Sequence, residues 1–173
     1  MNYILFDGAN RDALLPFTYT RPVADIRIGI LTIREKWEIF LGATTTTVTE
    51  DYLSDKYPMV EMEQNVMINA SYTPNEVLVH QIKNLKENQA VFDGDTMVAF
   101  FSLEDQEIDI DSLEVFQSKG ELLKIETTWD IFRAHWKNFL FLDNGPILLG
   151  KRRKEVLQFF EDDQLKIGIK GQV

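Results

Sequence analysis

DALLPFTYTRPVADIRIGILTIREKW, residues 12 to 37, decides how the chain begins to fold. It follows the short apolar run Tyr3-Ile-Leu-Phe6, which stops at Asp7-Gly8 as a buried strand does before a turn. Its end, Thr32-Ile-Arg-Glu35, is a capping box that predicts the start of a helix, and Gly42 lies where a left-handed C-terminal cap would fall. The chain therefore opens with a strand, a long loop stiffened by proline, and a helix.

The rest of the chain alternates β-forming and helical segments. Asp93-Gly94-Asp95 is a hairpin signal that predicts an antiparallel pair. The alternation predicts one α/β domain, residues 1 to 173, with a mixed sheet and a ligand site at the C-terminal ends of its strands. Strands are predicted over 44–49, 65–69, 89–92, 96–101, 114–117 and 122–126. Helices are predicted with inner faces Ile33-Trp37-Phe40, Leu78-Ile82-Leu85 and Trp129-Phe132-Trp136, and with caps Thr32, Thr73 and Thr128; a last helix includes Val156, Leu157 and Phe160.

Two segments fall outside that alternation. The acidic run of residues 104 to 111 is interpreted as a solvated loop, and residues 51 to 57 as a short helix or loop. The terminal run 166 to 173 alternates apolar residues as a strand does and then stops, which suggests a chain cut inside a larger protein.

Composition excludes several kinds of site. The absence of cysteine removes disulfides, thiolate metal centres and a cysteine nucleophile, and it fits a reducing compartment. Only His80 and His135 offer imidazole, each isolated in a helical pattern, so a zinc site is not expected.

Charge limits the partners. A formal charge of −10 opposes binding to nucleic acid or to an anionic membrane, so a phosphate ligand must be met by a few local cations. The sequence has neither an apolar run long enough for a membrane span nor a signal peptide. The expected location is the cytoplasm.

The opening segment resembles a known family. Leu14-Leu-Pro-Phe-Thr-Tyr-Thr-Arg-Pro-Val-Ala24 after a strand is similar to the N-terminal signature of sugar-1-phosphate nucleotidyltransferases, a strand followed by G-G-x-G-T-R-L-x-P-L-T and P-K. With Thr32-Ile-Arg-Glu-Lys-Trp37, Pro74-Asn-Glu76, Asp93-Gly-Asp-Thr96 and Thr128-Trp-Asp-Ile-Phe132, it resembles the GlmU-like sugar nucleotidyltransferases over nearly the whole chain.

The resemblance implies a fold, a reaction and partners. The fold is the Rossmann-like nucleotide-diphospho-sugar transferase fold, a mixed, mostly parallel sheet with flanking helices and an antiparallel hairpin. The substrates are a nucleoside triphosphate and a sugar 1-phosphate, with Mg²⁺ as cofactor; UTP and N-acetylglucosamine 1-phosphate are the expected pair. In this family a left-handed β-helix with acetyltransferase activity follows the domain and forms a homotrimer.

The loop after the first strand departs from the general signature. Gly8 matches a glycine, but Ala9, Arg11 and Ala13 stand where the general family has two glycines and the arginine that binds triphosphate. The lysine expected after the second proline is replaced by Val23. Arg11 and Arg21 each lie two residues before the position of a missing cation, which in an extended chain is the same face.

We therefore predict that Arg11 and Arg21 hold the triphosphate; the alternative is that both stabilise turns or lie on the surface. The predicted substrate-binding set is completed by glycine, amide and hydroxyl groups of the loops that follow two strands. Its members are Gly8, Asn10, Thr18, Thr20, Asn69 and Ser71.

The metal ligands are harder to place. General members end a central strand with Gly-Asp, whose carboxylate binds Mg²⁺, whereas here the strand ends at Asn69, a neutral donor. Asp93 and Asp95 are interpreted as parts of a hairpin turn lying away from the pocket. Asp130, at a helix start, is the reserve metal candidate, although an acid there also stabilises the helix dipole.

Two further patterns receive structural interpretations. Lys151-Arg-Arg-Lys154 is interpreted as a solvated helix start or a contact with an acidic domain, and Trp129, Phe132 and Trp136 as core packing. Two functions remain open: a uridylyltransferase-like enzyme, or a non-catalytic domain that binds a sugar nucleotide or serves assembly. A plain dinucleotide-binding domain is disfavoured because G-x-G-x-x-G is absent.

Overall fold

One six-stranded mixed sheet organises the computed structural model, which describes residues 1 to 104 and 112 to 140, the last six by backbone alone. Its strands are β1 (Asn2–Phe6), β4 (Thr45–Val48), β5 (Gln64–Asn69), β6 (Gln89–Asp93), β7 (Thr96–Leu103) and β8 (Glu114–Gln117). A separate antiparallel pair is formed by β2 (Arg27–Ile28) and β3 (Leu31–Thr32). The helices are α1 (Ile33–Leu41), α2 (Asp51–Ser54), α3 (Glu76–Lys83) and α4 (Thr128–Leu140).

The strand order β4-β1-β5-β7-β6-β8 makes β1 a central strand with a parallel neighbour on each side. β7 is antiparallel to both β5 and β6, and β8 is parallel to β6. Five strands therefore run in one direction and β7 alone runs in the other. The predicted α/β fold, with a mixed and mostly parallel sheet and an antiparallel hairpin, is confirmed.

The first helix confirms the capping prediction. The Thr32 hydroxyl accepts a hydrogen bond from the Glu35 amide, the Glu35 carboxylate accepts one from the Thr32 amide, and Gly42 has a φ of 71°. Trp37 is fully buried and donates its indole N–H to the carbonyl of Tyr72 at 2.9 Å. The predicted inward position of Phe40 is wrong, because Leu41 is the residue buried at that end of α1.

The second predicted cap is two residues early. The helix begins at Glu76, and the Asn75 side chain accepts from the amide of Leu78 at 2.8 Å. Thr73 is used elsewhere, because its amide and hydroxyl both donate to the carbonyl of Leu123. Leu78 and Ile82 of α3 are buried as predicted, and Leu85, predicted on the same face, is buried just after the helix ends.

The strand predicted over residues 122 to 126 is also wrong. Only one isolated antiparallel bridge forms there, between Tyr72 and Lys124. Residues 121 to 127, named here the crossing segment, run from the end of β8 back across the C-terminal ends of the strands. Asn75 Nδ2 donates to the carbonyl of Glu121, and the Ile125 amide donates to that of Ser71.

The hairpin turn has a different position from the one predicted. β6 runs parallel to β1 and β5, so Asp93, the last residue of β6, lies at the same edge of the sheet as the last residues of those strands. Asn69 Nδ2 donates to the carbonyl of Met97, the second residue of β7, at 3.1 Å. The turn therefore borders the expected pocket.

The aromatic stripe of α4 is not core packing. Trp129 is 74% exposed and Phe132 55%, whereas Ile131 and Ala134 are buried. The helix turns its small and aliphatic face inward, so the prediction for Trp129 and Phe132 is wrong. Several predictions concern parts of the chain outside the described residues. They are the acidic loop from residue 105 to 111, the side chains of His135 and Trp136, the basic run at 151 to 154, the last helix and the terminal run at 166 to 173.

Candidate active site at the carboxyl edge of the sheet

Two loops meet where β1 lies between β4 and β5. The chain passes from β1 to β4 on one side and then to β5 on the other, so the loops after β1 and β5 flank the point at which strand order reverses. Ligands of open α/β sheets bind outside the carboxyl ends of the strands at such a point. We call this the carboxyl edge, formed by the ends of β1, β4, β5 and β6.

Polar side chains from both loops are hydrogen-bonded to each other there. Ser71 donates its hydroxyl to Asn10 Oδ1 at 2.8 Å, and Asn69 Oδ1 accepts from the amide of Ser71 at 3.0 Å. Asn10 Nδ2 donates to the carbonyl of Ile125 in the crossing segment at 2.6 Å. The structure therefore brings together Asn10, Asn69 and Ser71 from the predicted set.

Gly8 completes this group because only a glycine fits. A Cβ at Gly8 would lie 2.9 Å from Asn69 Oδ1 and 3.0 Å from Asn10 Oδ1. These separations are shorter than ordinary van der Waals contact, so a side chain would displace both amides. The glycine lets the loop after β1 pack directly on the end of β5.

Asp7, the first residue after β1, holds the other side of that loop. Its carboxylate accepts from Arg11 Nε at 3.0 Å, from the Val23 amide at 2.8 Å and from Thr49 Oγ1 at 2.7 Å. The Asp7 and Arg11 side chains are 7% and 8% exposed. One carboxylate thus ties three separate segments to the end of β1.

Two of the three guanidinium nitrogens of Arg11, Nε and Nη2, are engaged inside the loop. Its Nη2 donates to the carbonyl of Thr18 at 2.6 Å and to the hydroxyl of Tyr52 at 3.0 Å. Burial opposes its charge, but the hydrogen bonds to Tyr52 and Asp7 and the charge on Asp7 outweigh that and raise the pKa of Arg11. In this arrangement Nε and Nη2 face protein groups, so a bond from either nitrogen to triphosphate would require breaking these contacts.

The remaining loop residues divide into buried and exposed. Thr18 is buried and donates its hydroxyl to the carbonyl of Arg11 at 3.0 Å, which fixes the loop rather than opening onto a pocket. Thr20 and Arg21 are exposed. Within the described residues no side-chain partner is found for Arg21, so its guanidinium is available to a ligand.

A cavity of about 350 Å³ lies beside the loop, between the ends of β1 and β4. Besides the Asp7–Arg11 pair it is lined by three more acids and a threonine: Asp12, Glu50, Asp51 and Thr49. Because Asp7 already neutralises Arg11, this cavity repels phosphate.

The side chains that the structure describes do not form a Mg²⁺ site. Both polar atoms of the Asn69 amide are hydrogen-bonded, and no group of three acidic, histidine or cysteine side chains suitable for a metal occurs within the described ranges. Asp130 accepts from the amides of Glu126 and Thr127 at the start of α4. Burial opposes its charge, but the bonds from Thr127 and Glu126 and the nearby Arg133 outweigh that and lower the pKa of Asp130.

The sequence did not predict a second group of polar side chains at this edge. It comprises a lysine, a tyrosine, a threonine and two acids: Lys124, Tyr72, Thr96, Asp93 and Glu126. Lys124 Nζ lies 2.6 Å from Glu126 Oε1 and 3.3 Å from Thr96 Oγ1, and Tyr72 donates its hydroxyl to Asp93 Oδ2 at 3.2 Å. The sequence analysis assigned Lys124 to a predicted strand over residues 122 to 126 and not to a site. Nothing in the local sequence indicates that this segment runs across the C-terminal ends of the other strands.

Comparisons with known proteins cover this whole region. A family model described as sugar nucleotidyl transferase matches residues 3–141. No curated protein sequence matches the chain. A crystal structure assigned as a glucose-1-phosphate thymidylyltransferase from Bacillus anthracis, in complex with a sucrose, aligns over 89% of this chain and 99% of its own, with 12% identity and a TM-score of 0.45. The family match includes both loops and the crossing segment.

No helix among the described residues combines the length and apolar composition needed to cross a membrane.

Proposed function

The chain belongs to the sugar nucleotidyl transferase family, and from that membership we propose that it joins a nucleoside triphosphate to a sugar 1-phosphate at the carboxyl edge. A phosphate oxygen of the sugar 1-phosphate attacks the α-phosphorus of the nucleotide. The bond from that phosphorus to the oxygen bridging the α- and β-phosphates breaks, and pyrophosphate leaves. Such a displacement depends on positioning and on neutralising charge, rather than on a covalent contribution from the protein.

The observation that carries this proposal is the packing of the loops after β1 and β5 around Gly8, Asn10 and Ser71. Asn10, the half-buried member of this group, can offer its side-chain amide to a sugar hydroxyl or a phosphate oxygen, whereas Ser71 is fully buried and holds Asn10 in place. Arg21 is the exposed cation beside the loop, and we assign it the contact with the triphosphate. Arg11 supports the site by holding the loop.

We further propose UTP and N-acetylglucosamine 1-phosphate as the substrates, on the strength of the resemblance to the GlmU-like proteins. The test is pyrophosphate release by the purified chain with this pair and Mg²⁺, followed by other nucleoside triphosphates and hexose 1-phosphates. Arg21→Ala is expected to lower the rate at least tenfold without changing the melting temperature. Arg27→Ala, which removes an exposed arginine on β2, is the matched control and is expected to keep the rate.

A second candidate function is favoured by one specific observation. Asp7, Asp130 and Glu126 are engaged in a loop, at a helix start and with Lys124, and no group of three acidic, histidine or cysteine side chains suited to a metal occurs among the described residues. A non-catalytic domain that binds a sugar nucleotide would need no metal. Calorimetry with UDP-N-acetylglucosamine, with and without Mg²⁺, separates the two: metal-independent binding without pyrophosphate release from any substrate pair favours the non-catalytic function.

A further inference from the structure

Lys124 lies next to the backbone that holds the two loops together. It pairs with Tyr72 through the isolated bridge, and the following residue, Ile125, donates its amide to the carbonyl of Ser71 at 2.8 Å. The carbonyl of Ile125 in turn accepts from Asn10 at 2.6 Å. Any ligand that contacts Asn10 is therefore close to the residue that follows Lys124.

The ammonium group of Lys124 is positioned but not buried. It lies 5.6 Å above the ring of Tyr72, 3.3 Å from Thr96 Oγ1 and 2.6 Å from Glu126 Oε1. The Lys124 side chain is 22% exposed and the Glu126 side chain 58% exposed. An ion pair with so exposed a carboxylate contributes little net free energy, so a stronger anion can replace Glu126.

Charge makes a local cation necessary on this side of the edge. Residues 1 to 140 contain 12 lysine and arginine residues against 23 aspartate and glutamate residues, so the surrounding field repels phosphate. Arg11 pairs with Asp7, and Arg21 is an exposed residue of the loop that follows β1. Lys124 stands on the opposite side, toward β7, through its contact with Thr96.

We propose that Lys124 binds the phosphate group of the sugar 1-phosphate, and that the phosphate takes the place of Glu126. This assignment rests on the proposed function, since it divides the two substrates between the two sides of the edge. Thr96 and the ring of Tyr72 hold the ammonium group in place while its anionic partner changes. Lys124 is then the residue that distinguishes a phosphorylated sugar from a free one.

The state of Tyr72 is consistent with this arrangement. Burial, followed by the charge on Asp93, raises the pKa of the Tyr72 hydroxyl. The hydroxyl stays protonated at neutral pH, and its proton is directed to Asp93 at 3.2 Å. Tyr72 therefore presents a neutral ring to Lys124 and adds no negative charge where the phosphate binds.

The test is calorimetry on the full chain with N-acetylglucosamine 1-phosphate, unphosphorylated N-acetylglucosamine and UTP. Lys124→Met keeps the aliphatic stem and removes the charge, and it is expected to weaken binding of the sugar phosphate at least about tenfold. The affinity for UTP and for the free sugar should change less than about twofold. Glu126→Gln removes the competing charge and is expected to tighten binding of the sugar phosphate about two- to threefold. Lys86→Met, at an exposed lysine after α3, is the matched control.

The outcomes separate the two proposals. If the wild-type protein binds neither UTP nor the sugar phosphate, the proposed function fails and this assignment fails with it. If the wild type binds both and Lys124→Met binds the sugar phosphate equally well, only the assignment of Lys124 is overturned. Equal losses for all three ligands in Lys124→Met would also overturn it, since they would indicate a structural role. Unchanged or weaker binding in Glu126→Gln would contradict the exchange of partners.

Discussion

Removing the Asp7 carboxylate is expected to destabilise the protein far more than removing an ordinary ion-pair partner. In Asp7→Ala, Arg11 loses its counterion at a place where both side chains are less than a tenth exposed. The Val23 amide and the Thr49 hydroxyl lose their acceptor at the same time. Three segments that meet at the end of β1 would each be left with an unpaired polar group.

The size of the effect follows from burial. Breaking a buried ion pair by removing one partner costs about 3 to 5 kcal/mol, because a charge is left without compensation. With a urea dependence of about 2 kcal/mol per molar, a loss of about 4 kcal/mol lowers the midpoint by about 2 M. The matched control is Asp25→Ala, whose pair with Arg34 has side chains about a fifth exposed and is expected to contribute about 1 kcal/mol.

The assay is urea unfolding at neutral pH, followed by circular dichroism and by tryptophan fluorescence. Asp7→Ala, Arg11→Met and the double variant complete a double-mutant cycle. The double variant is expected to be more stable than the sum of the single losses predicts, because it leaves no unpaired guanidinium. The reasoning is refuted if Asp7→Ala lowers the midpoint no more than Asp25→Ala, or if the two losses add.

Three further predictions test the site loop and helix α1. Gly8→Ala is expected to cost about 1 to 3 kcal/mol in urea unfolding and to abolish ligand binding in calorimetry, because its Cβ would lie 2.9 Å from Asn69 Oδ1. Burial lowers the pKa of Lys36 to about 8, so the free energy of unfolding should rise as pH increases from 8 toward 10.5, and Lys36→Met should lack that rise in pH-dependent unfolding. The hydrogen bond from the Thr32 amide lowers the pKa of Glu35 from its ordinary value of 4.5, so the Glu35 carboxylate stabilises the fold fully above pH 4.5 and loses this effect as pH falls below it. Glu35→Gln should therefore be less stable than the wild type at neutral pH, and the difference in melting temperature should shrink at about pH 3.

The parts of the fold that the sequence predicts are those encoded by neighbours in the chain. The capping box of Thr32 and Glu35 needs residues three apart, and the Asp93-Gly94 turn joins strands that follow each other directly. A run of apolar residues is enough to indicate that β1 is buried. These features depend on local geometry, so a single sequence is enough to find them.

The errors arise where a distant segment competes for the same group. Thr73 has the pattern of a helix cap, yet it bonds to Leu123, fifty residues away, and Asn75 caps the helix instead. The turn at Asp93 was predicted to lie away from the pocket. Its true position depends on the direction of β6, which is set by the antiparallel pairing of β7 with β5, and the local sequence does not indicate that pairing. In α4, helical spacing cannot tell which face meets the core, and the aromatic face is the exposed one.

The candidate site was predicted in part for the same reason. Asn10, Asn69 and Ser71 follow strands that the sequence identifies, and parallel strands bring their ends together. The partner of Arg11 could not be inferred, since an arginine four residues after an acid is equally compatible with a surface pair or with a ligand contact. Lys124 was missed because its position depends on the path of the crossing segment.

The Asp7–Arg11 pair also bears on how a nucleotide can bind. If Arg11 had to turn to a triphosphate, the buried Asp7 carboxylate would be left without its counterion, which costs about 3 to 5 kcal/mol. A dissociation constant of 1 mM corresponds to a binding free energy of about 4.1 kcal/mol. The cost of separating Arg11 from Asp7 is about as large, so it would cancel the binding free energy of a ligand with millimolar affinity. A ligand that leaves the pair intact and binds Arg21 and Lys124 avoids the cost. We infer that Arg11 acts on the site by fixing the loop, and that the cations which contact substrate are Arg21 and Lys124.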